Sequence, residues 1–308
     1  MTLAERLPLQ LPAGFRTRFA PAPTGWLHLG HAVNAVWVWS IARAFGGRVL
    51  LRIEDHDLGR CRQEFEQGIL DDLEWLDLPW DTDRSAPAGS PPPAVVRQRD
   101  REALYAAALA RLDAQELVYP CRCSRREIAR LAPHGDDEEP RYPGTCRDAA
   151  LDPAVHAARR LRLAPDLVPF EDLVCGPQLQ QPSRQCGDVL LRDRRGQWTY
   201  QFAVVVDDLA QEIDLIIRGT DLLASTGRQR LIAQALGASR VPMVLHHALV
   251  RHPDGAKLSK SRGDTALHEL RRAGWTPARV LGHAAWLAGL RGVDAPLEAR
   301  VLASLWGR

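Results

Sequence analysis

The reading turns on "FRTRFAPAPTGWLHLGHAVNAVWVWSIARAFGGRVLLRIED", residues 15–55. Phe15 to Ala20 reads as a short strand stopped by Pro21 and Pro23. Apolar residues then recur at near-helical spacing through "HLGHAVNAVWVWSIARAF", and Gly46 and Gly47 end that helix. "RVLLRIED" is a near-continuous apolar run that closes on acids, the pattern of a buried parallel strand. Strand, helix and strand in this order make a βαβ unit, whose crossover is right-handed.

Outward from this unit, the spacing predicts helices over 62–76 and 97–117, separated by a Pro-rich loop at 85–95. From residue 118 the texture changes: Cys, Pro, Gly and charge dominate as far as 185, as in an insertion with its own small fold. Regular apolar texture then resumes. "DVLLRD" and "WTYQFAVVVDDL" read as two strands joined by the turn "RRGQ". "IDLIIRGTDLL", a helix over 221–237 and a strand in "VPMVLHHALV" complete an α/β pattern. The expected fold is a Rossmann-type doubly wound parallel sheet. Its first half spans 14–117, an insertion spans 118–185, the second half spans 186–261, and a short helical segment occupies 262–308.

The chain has 308 residues, 45% of them hydrophobic and 25% charged, as in ordinary globular proteins. A net charge of +2 does not by itself announce a nucleic-acid binder. No run of about 18 apolar residues suggests a membrane span, and "MTLAERLPLQ" lacks the apolar core of a signal peptide. A cytoplasmic protein without a membrane partner, and a monomer, is expected.

Two short stretches carry chemistry. His28 and His31 lie three apart where a helix begins at the carboxyl end of a strand, a place that attracts phosphates. Lys257 and Lys260, in "DGAKLSKSRGD", are the only lysines among 40 basic residues, and Ser259 and Ser261 stand beside them. Lysine is a compact charge on a flexible stem, suited to following a triphosphate through a reaction.

"HLGH" and "KLSKS" resemble the two signatures of class I aminoacyl-tRNA synthetases. "RFAPAPTGWLHLGHA", "LLRIEDHD", "TYQFAVVVDD" and "IIRGTDLL" are similar, in this order, to the glutamyl and glutaminyl branch of that class, from about Arg16 to Ser261. The resemblance implies a Rossmann-type domain interrupted by a tRNA-handling insertion, and activation of an amino acid with ATP and Mg2+ followed by transfer to tRNA. It implies an ATP site built from His28, Gly30, His31, Lys257, Ser259 and Lys260. It also implies a glutamate pocket: Arg18 and Arg218 for carboxylates, Glu54 for the ammonium group, and Tyr200 and the backbone around Ala20 and Ala22 as lining. Ala22 stands where the family commonly has serine, so a hydroxyl contact is absent or replaced.

Cys121, Cys123 and Cys146 suggest structural zinc, with His134, Tyr142 or Cys175 as fourth ligand; histidine is the commoner choice in zinc chemistry. The resemblance points instead to Tyr142, because a short glutamyl-synthetase-like family carries Cys-x-Cys followed by Tyr-x-x-x-Cys. Cys61, Cys175 and Cys186 show no comparable spacing.

Forty-seven residues follow Ser261, too few for an independent anticodon-reading domain. With the cysteine pattern, this resembles the short family that activates glutamate without tRNA and esterifies it to queuosine in the anticodon stem-loop of tRNA(Asp). A truncated synthetase charging the tRNA 3′ end with a partner chain, a small nucleotidyltransferase and a non-catalytic tRNA-binding paralogue are the competing expectations.

Overall fold

The computed structural model describes residues 2–83, 94–131, 140–149, 151–152, 157–250 and 265–308. The KLSKS loop with Lys257, Ser259 and Lys260, most of the Pro-rich loop, and His134 lie outside these residues.

The chain runs α1 (Leu3–Gln10), β1 (Arg16–Phe19), α2 (Leu29–Phe45), β2 (Arg48–Ile53), α3 (Gln63–Trp75), β3 (Val95–Arg97) and α4 (Glu102–Asp113). It continues with β4 (Val118–Cys121), α5 (Arg125–Leu131), β5 (Ala158–Leu161), β6 (Val168–Asp172), β7 (Gly176–Gln180), α6 (Pro182–Gln185) and β8 (Val189–Arg192). Then come α7 (Tyr200–Ala210), β9 (Leu215–Gly219), α8 (Ser225–Ala235), β10 (Met243–His247), α9 (Leu267–Arg272), α10 (Pro277–Leu287) and a closing 3-10 turn, Ala299–Trp306. No helix among the described residues is long and apolar enough to cross a membrane.

The βαβ unit forms as its pattern predicts: β1 and β2 pair in parallel around α2, and β3 extends them in the order β1-β2-β3. A second sheet runs β7-β6-β10-β9, parallel except for the β6–β7 hairpin. The two meet at a seam where the Asp214 N–H donates to the Arg16 carbonyl at 2.9 Å and the Arg16 N–H to the Asp214 carboxylate at 2.8 Å. Across that seam the order reads β3-β2-β1-β9-β10-β6-β7. The direction of winding reverses between β1 and β9, the switch point where doubly wound sheets bind ligands.

α2 is buried almost all round. Val33, Val36, Val38 and Ile41 are inaccessible, and the Trp306 indole donates to Ser40 Oγ at 3.0 Å. The helix lies between the sheet and the packed C-terminal elements α10 and 299–306, so the expected helical C-terminal segment closes the core over it.

A third, antiparallel sheet, β4-β5-β8, carries the cysteines. Pairing crosses the expected edges of the insertion in both directions. β8, beyond residue 185, joins this small sheet, whereas β6 and β7, within 118–185, join the large one.

One expectation fails. "WTYQFAVVVDDL" does not form a strand; Tyr200–Ala210 is the helix α7. Phe202 to Asp208 are all buried, and a short apolar run buried on every side has no period to separate helix from strand. The adjacent acids show why helix prevails. Asp207 and Asp208 both point inward, Asp207 to Tyr105 and Gln98, Asp208 to Arg18 and Arg52. In a strand, neighbours project to opposite faces. α1, a helix the sequence reading above does not include, starts at the Thr2–Glu5 capping box that "TLAE" encodes.

Candidate active site and cysteine centre

A cleft of about 530 Å3 opens at the carboxyl ends of β1, β2 and β9. It is lined by Arg18, Ala20, Ala22, His28, Gly30, His31, Glu54, Tyr200 and Arg218. All the sequence-predicted ATP and glutamate residues that lie among the described residues are therefore brought together. Both described flanks of 251–264 also reach it. Leu249 and Val250 line the cleft, while Ala266 bridges to His28 and the Leu267 N–H donates to the Leu27 carbonyl at 2.8 Å.

The two histidines cap their own helix. The Gly30 N–H donates to His28 Nδ1 and the His28 N–H to His31 Nδ1, each at 3.1 Å. Nδ1 is therefore the acceptor on both rings, and each neutral imidazole carries its proton on Nε2. A side chain on residue 30 would lie 2.9 Å from the His28 ring, so glycine is required for this fold-back.

Beneath the cleft lies an ion network that sequence reasoning missed. Arg18 Nε donates to Asp208 Oδ1 at 3.1 Å, and Arg52 Nη1 to the same oxygen at 2.8 Å. Arg52, wholly inaccessible, also reaches Glu54 at 3.3 Å and Asp207 at 3.7 Å. Burial opposes ionisation of Asp208, yet Arg18 and Arg52 hold its carboxyl below the ordinary range. For Glu54 burial prevails over Arg52 and Arg18, and its carboxyl is pushed up; an ammonium group bound beside it would reverse that balance. The sequence signals were the lone arginine inside the apolar run "LLRIE" and the paired acids ending "AVVVDD". A charge inside an apolar run needs buried partners.

Arg218 is buried, and burial lowers its pKa. Its Nε donates to His246 Nε2 and its Nη2 to Thr226 Oγ1, both at 2.9 Å. Nη1 has no partner at hydrogen-bonding geometry, and the Tyr200 phenol stands beside the group.

The cysteine centre lies on the small sheet. The sulfurs of Cys121, Cys123 and Cys146 all lie within 4.8 Å of one another, with Cys123 and Cys146 3.6 Å apart. The Tyr142 phenol oxygen is 3.4 Å from Cys121 Sγ and accepts the Cys146 N–H at 2.8 Å. A tetrahedron with Zn–S bonds of about 2.3 Å has edges of nearly 3.8 Å, so the donor spacing fits that ion. Arg160 donates to Cys121 Sγ at 3.3 Å and its guanidinium stacks 3.8 Å over the Tyr142 ring. Gly187 lets the chain pass: a Cβ there would meet the Tyr142 carbonyl at 2.2 Å. Cys175 is elsewhere, its thiol against the His246 carbonyl at 3.5 Å, and is not a fourth ligand. Cys61 and Cys186 also stand outside the cluster.

A family model described as "tRNA synthetases class I (E and Q), catalytic domain" matches residues 14–291. The chain belongs to this family of class I tRNA synthetases. Amino acid, ATP and tRNA are the substrates this family implies. Among curated relatives, the chain is 43% identical over 295 residues to the glutamyl-Q tRNA(Asp) synthetase of Symbiobacterium thermophilum, covering 92% of this chain and 88% of that protein. It is 40% identical to the protein of that name from Deinococcus radiodurans, covering 94% and 95%. The glutamate–tRNA ligase 2 of Syntrophus aciditrophicus is 37% identical over 94% of this chain and 60% of its own length. Among solved structures, a glutamate tRNA ligase from Elizabethkingia meningosepticum, in complex with its amino acid, superposes with a TM-score of 0.77 at 24% identity, covering 94% of this chain and 64% of that one. The shared synthetase fold is thus independent of close sequence likeness.

Proposed function

We propose that this synthetase activates glutamate with ATP in the absence of tRNA and transfers it to the queuosine in the anticodon of tRNA(Asp). The observation that carries the reading is the cleft at the switch point, where histidine donors, two buried arginines and a buried carboxylate face one volume. Likeness to the glutamyl-Q tRNA(Asp) synthetases supports the choice of acceptor.

Glutamate lies with its carboxylates against Arg18 and Arg218, its ammonium group against Glu54, and Tyr200, Ala20 and Ala22 around it. An α-carboxylate oxygen attacks the α-phosphorus of ATP, the bond to the bridging oxygen breaks, and pyrophosphate leaves. His28 and His31 donate from Nε2 to the phosphate oxygens as charge develops, over the backbone at Gly30. Lys257, Lys260 and Ser259 serve the departing pyrophosphate, and Mg2+ accompanies ATP. A queuosine hydroxyl then attacks the activated carbonyl; AMP leaves and an ester remains. No side chain acts as covalent nucleophile. Cys121, Cys123, Cys146 and Tyr142 hold a structural Zn2+ within a tRNA-contacting unit drawn from 118–185. When bound, the ion cross-links that unit, and no chemical step passes through it. The catalytic halves are drawn from 14–117 and 186–261, with β6 and β7 of 118–185 added to their sheet, β8 lent to the small one, and 265–308 packed on them.

Pyrophosphate exchange with glutamate and ATP, tRNA omitted, tests activation, and absence of exchange refutes it. The likeness to glutamate–tRNA ligase 2 favours a second reading, esterification at the tRNA 3′ end. Charging of tRNA(Asp) that survives periodate treatment of the 3′ end supports the first reading; glutamate on tRNA(Glu) overturns it.

A further inference from the structure

We propose that His246 and Asp172 are positioning residues for Arg218, holding its guanidinium in one orientation while leaving its charge free for a substrate carboxylate. The proposal rests on the reading that Arg218 receives glutamate.

The three side chains come from adjacent strands. Arg218 on β9 lies in register with His246 on β10, and Asp172 on β6 with Val244 on β10. Arg218 is 4% exposed, and His246 and Asp172 are fully inaccessible. Because Arg218 Nε donates to His246 Nε2 at 2.9 Å, that nitrogen is the acceptor. The ring proton is therefore on Nδ1, which donates to Asp172 Oδ2 at 2.6 Å. Asp172 is fixed in turn by the backbone N–H groups of Val174 and Cys175, at 3.0 and 2.7 Å, where β6 turns into β7. Thr226, from α8, accepts from Arg218 Nη2 on another side.

The neutral imidazole is what distinguishes this arrangement from an ordinary buried ion pair. A carboxylate touching Arg218 directly would orient the guanidinium and also neutralise it. Here one aromatic ring stands between acid and arginine, and Arg218 makes no ion pair among the described residues. Two of its nitrogens are held, while Nη1 is buried at the cleft wall beside the Tyr200 phenol, with no partner at hydrogen-bonding geometry. A fork fixed on one edge and open on the other meets a carboxylate with little further ordering, which is where preorganised sites gain affinity. It also penalises a neutral amide, which leaves the buried charge uncompensated.

The test is pyrophosphate exchange by the full chain, with KM read separately for glutamate and ATP and the melting temperature followed in parallel. His246→Leu and Asp172→Asn are expected to raise the glutamate KM about 10- to 100-fold, the range of one charge-assisted hydrogen bond, with the ATP KM within about twofold of wild type. His246→Gln, which can accept from Arg218 and donate to Asp172, is expected to stay within about threefold. If the leucine variant does not fold, His246→Asn carries the comparison, since its amide is too short to span both partners. Leucine, asparagine and Asp172→Asn variants with wild-type glutamate KM overturn the proposal, as does an equal rise in both KM values. Arg218→Ala separates the two levels. Unchanged glutamate KM in that variant refutes the carboxylate site itself. A raised KM there, with the relay variants normal, refutes only the positioning.

Discussion

At the scale of single residues, hydrogen-bond direction decides chemistry. His28 and His31 accept backbone N–H groups on Nδ1, so both present an Nε2 donor without needing to be charged. His31→Ala is therefore expected to lower the exchange rate constant about 10²- to 10³-fold, as loss of one transition-state donor does elsewhere, with an unchanged glutamate KM. Steady-state exchange kinetics check both numbers. The spacing of these histidines was legible in the sequence. Their tautomers were not, because those follow from which backbone amide each ring meets.

At the scale of elements, α7 supports the cleft from beneath and the β4–β5–β8 sheet assembles the cysteine centre. α7 delivers Asp207 and Asp208 beneath the cleft, where Asp208 joins Arg18 to Arg52. Removing that carboxylate takes the ion-pair partner from buried Arg18 and leaves Arg52 with only Glu54 and Asp207. Asp208→Ala is expected to cost about 3–5 kcal/mol of stability, read from the urea midpoint at unchanged slope. The small sheet closes three sulfurs and a phenol to ion-binding distance. Cys123→Ser, or a strong chelator added to the wild type, is expected to lower bound zinc per chain in elemental analysis. Either should also lower the melting temperature, since a structural metal binds the folded state alone. Zinc content unchanged in Cys123→Ser would exclude this cluster as the site. Cysteine and tyrosine spacing made the donors readable; that Arg160 stacks over Tyr142 and donates to Cys121 depends on β5 pairing beside β4.

At the scale of the whole molecule, stability acquires a pH dependence from groups that three adjacent strands bury together. Burial first, then the charges of Arg218 and Arg18, hold His246 below its ordinary value of 6.5, although Asp172 acts the other way. The unfolded chain thus binds a proton near pH 6.5 that the fold resists. The contribution is full above that pH and is lost as pH falls through it toward the folded value. Asp172, lowered from 3.8 by its contact with His246 and by backbone N–H groups despite burial, adds a loss of the same sign at lower pH. Between pH 7 and pH 5 the wild type is expected to lose more melting temperature than His246→Gln, which removes the titrating ring. Scanning calorimetry of both proteins across this range checks it.

By itself, the sequence determined the βαβ start, the position of the histidine pair and the cysteine spacing, whereas the arginines and Glu54 of the cleft followed from the family resemblance. Each is a local signal: an apolar period, a proline stop, or a short motif set against the texture around it. Only the tertiary structure decided that "TYQFAVVVDDL" is a helix, because a run buried on all sides has no period to read. It alone brought His246 and Asp172 to Arg218, by pairing β6 with β10 and β10 with β9. Those residues stand 28 to 74 positions apart in the chain, and no local pattern carries a contact that strand order creates.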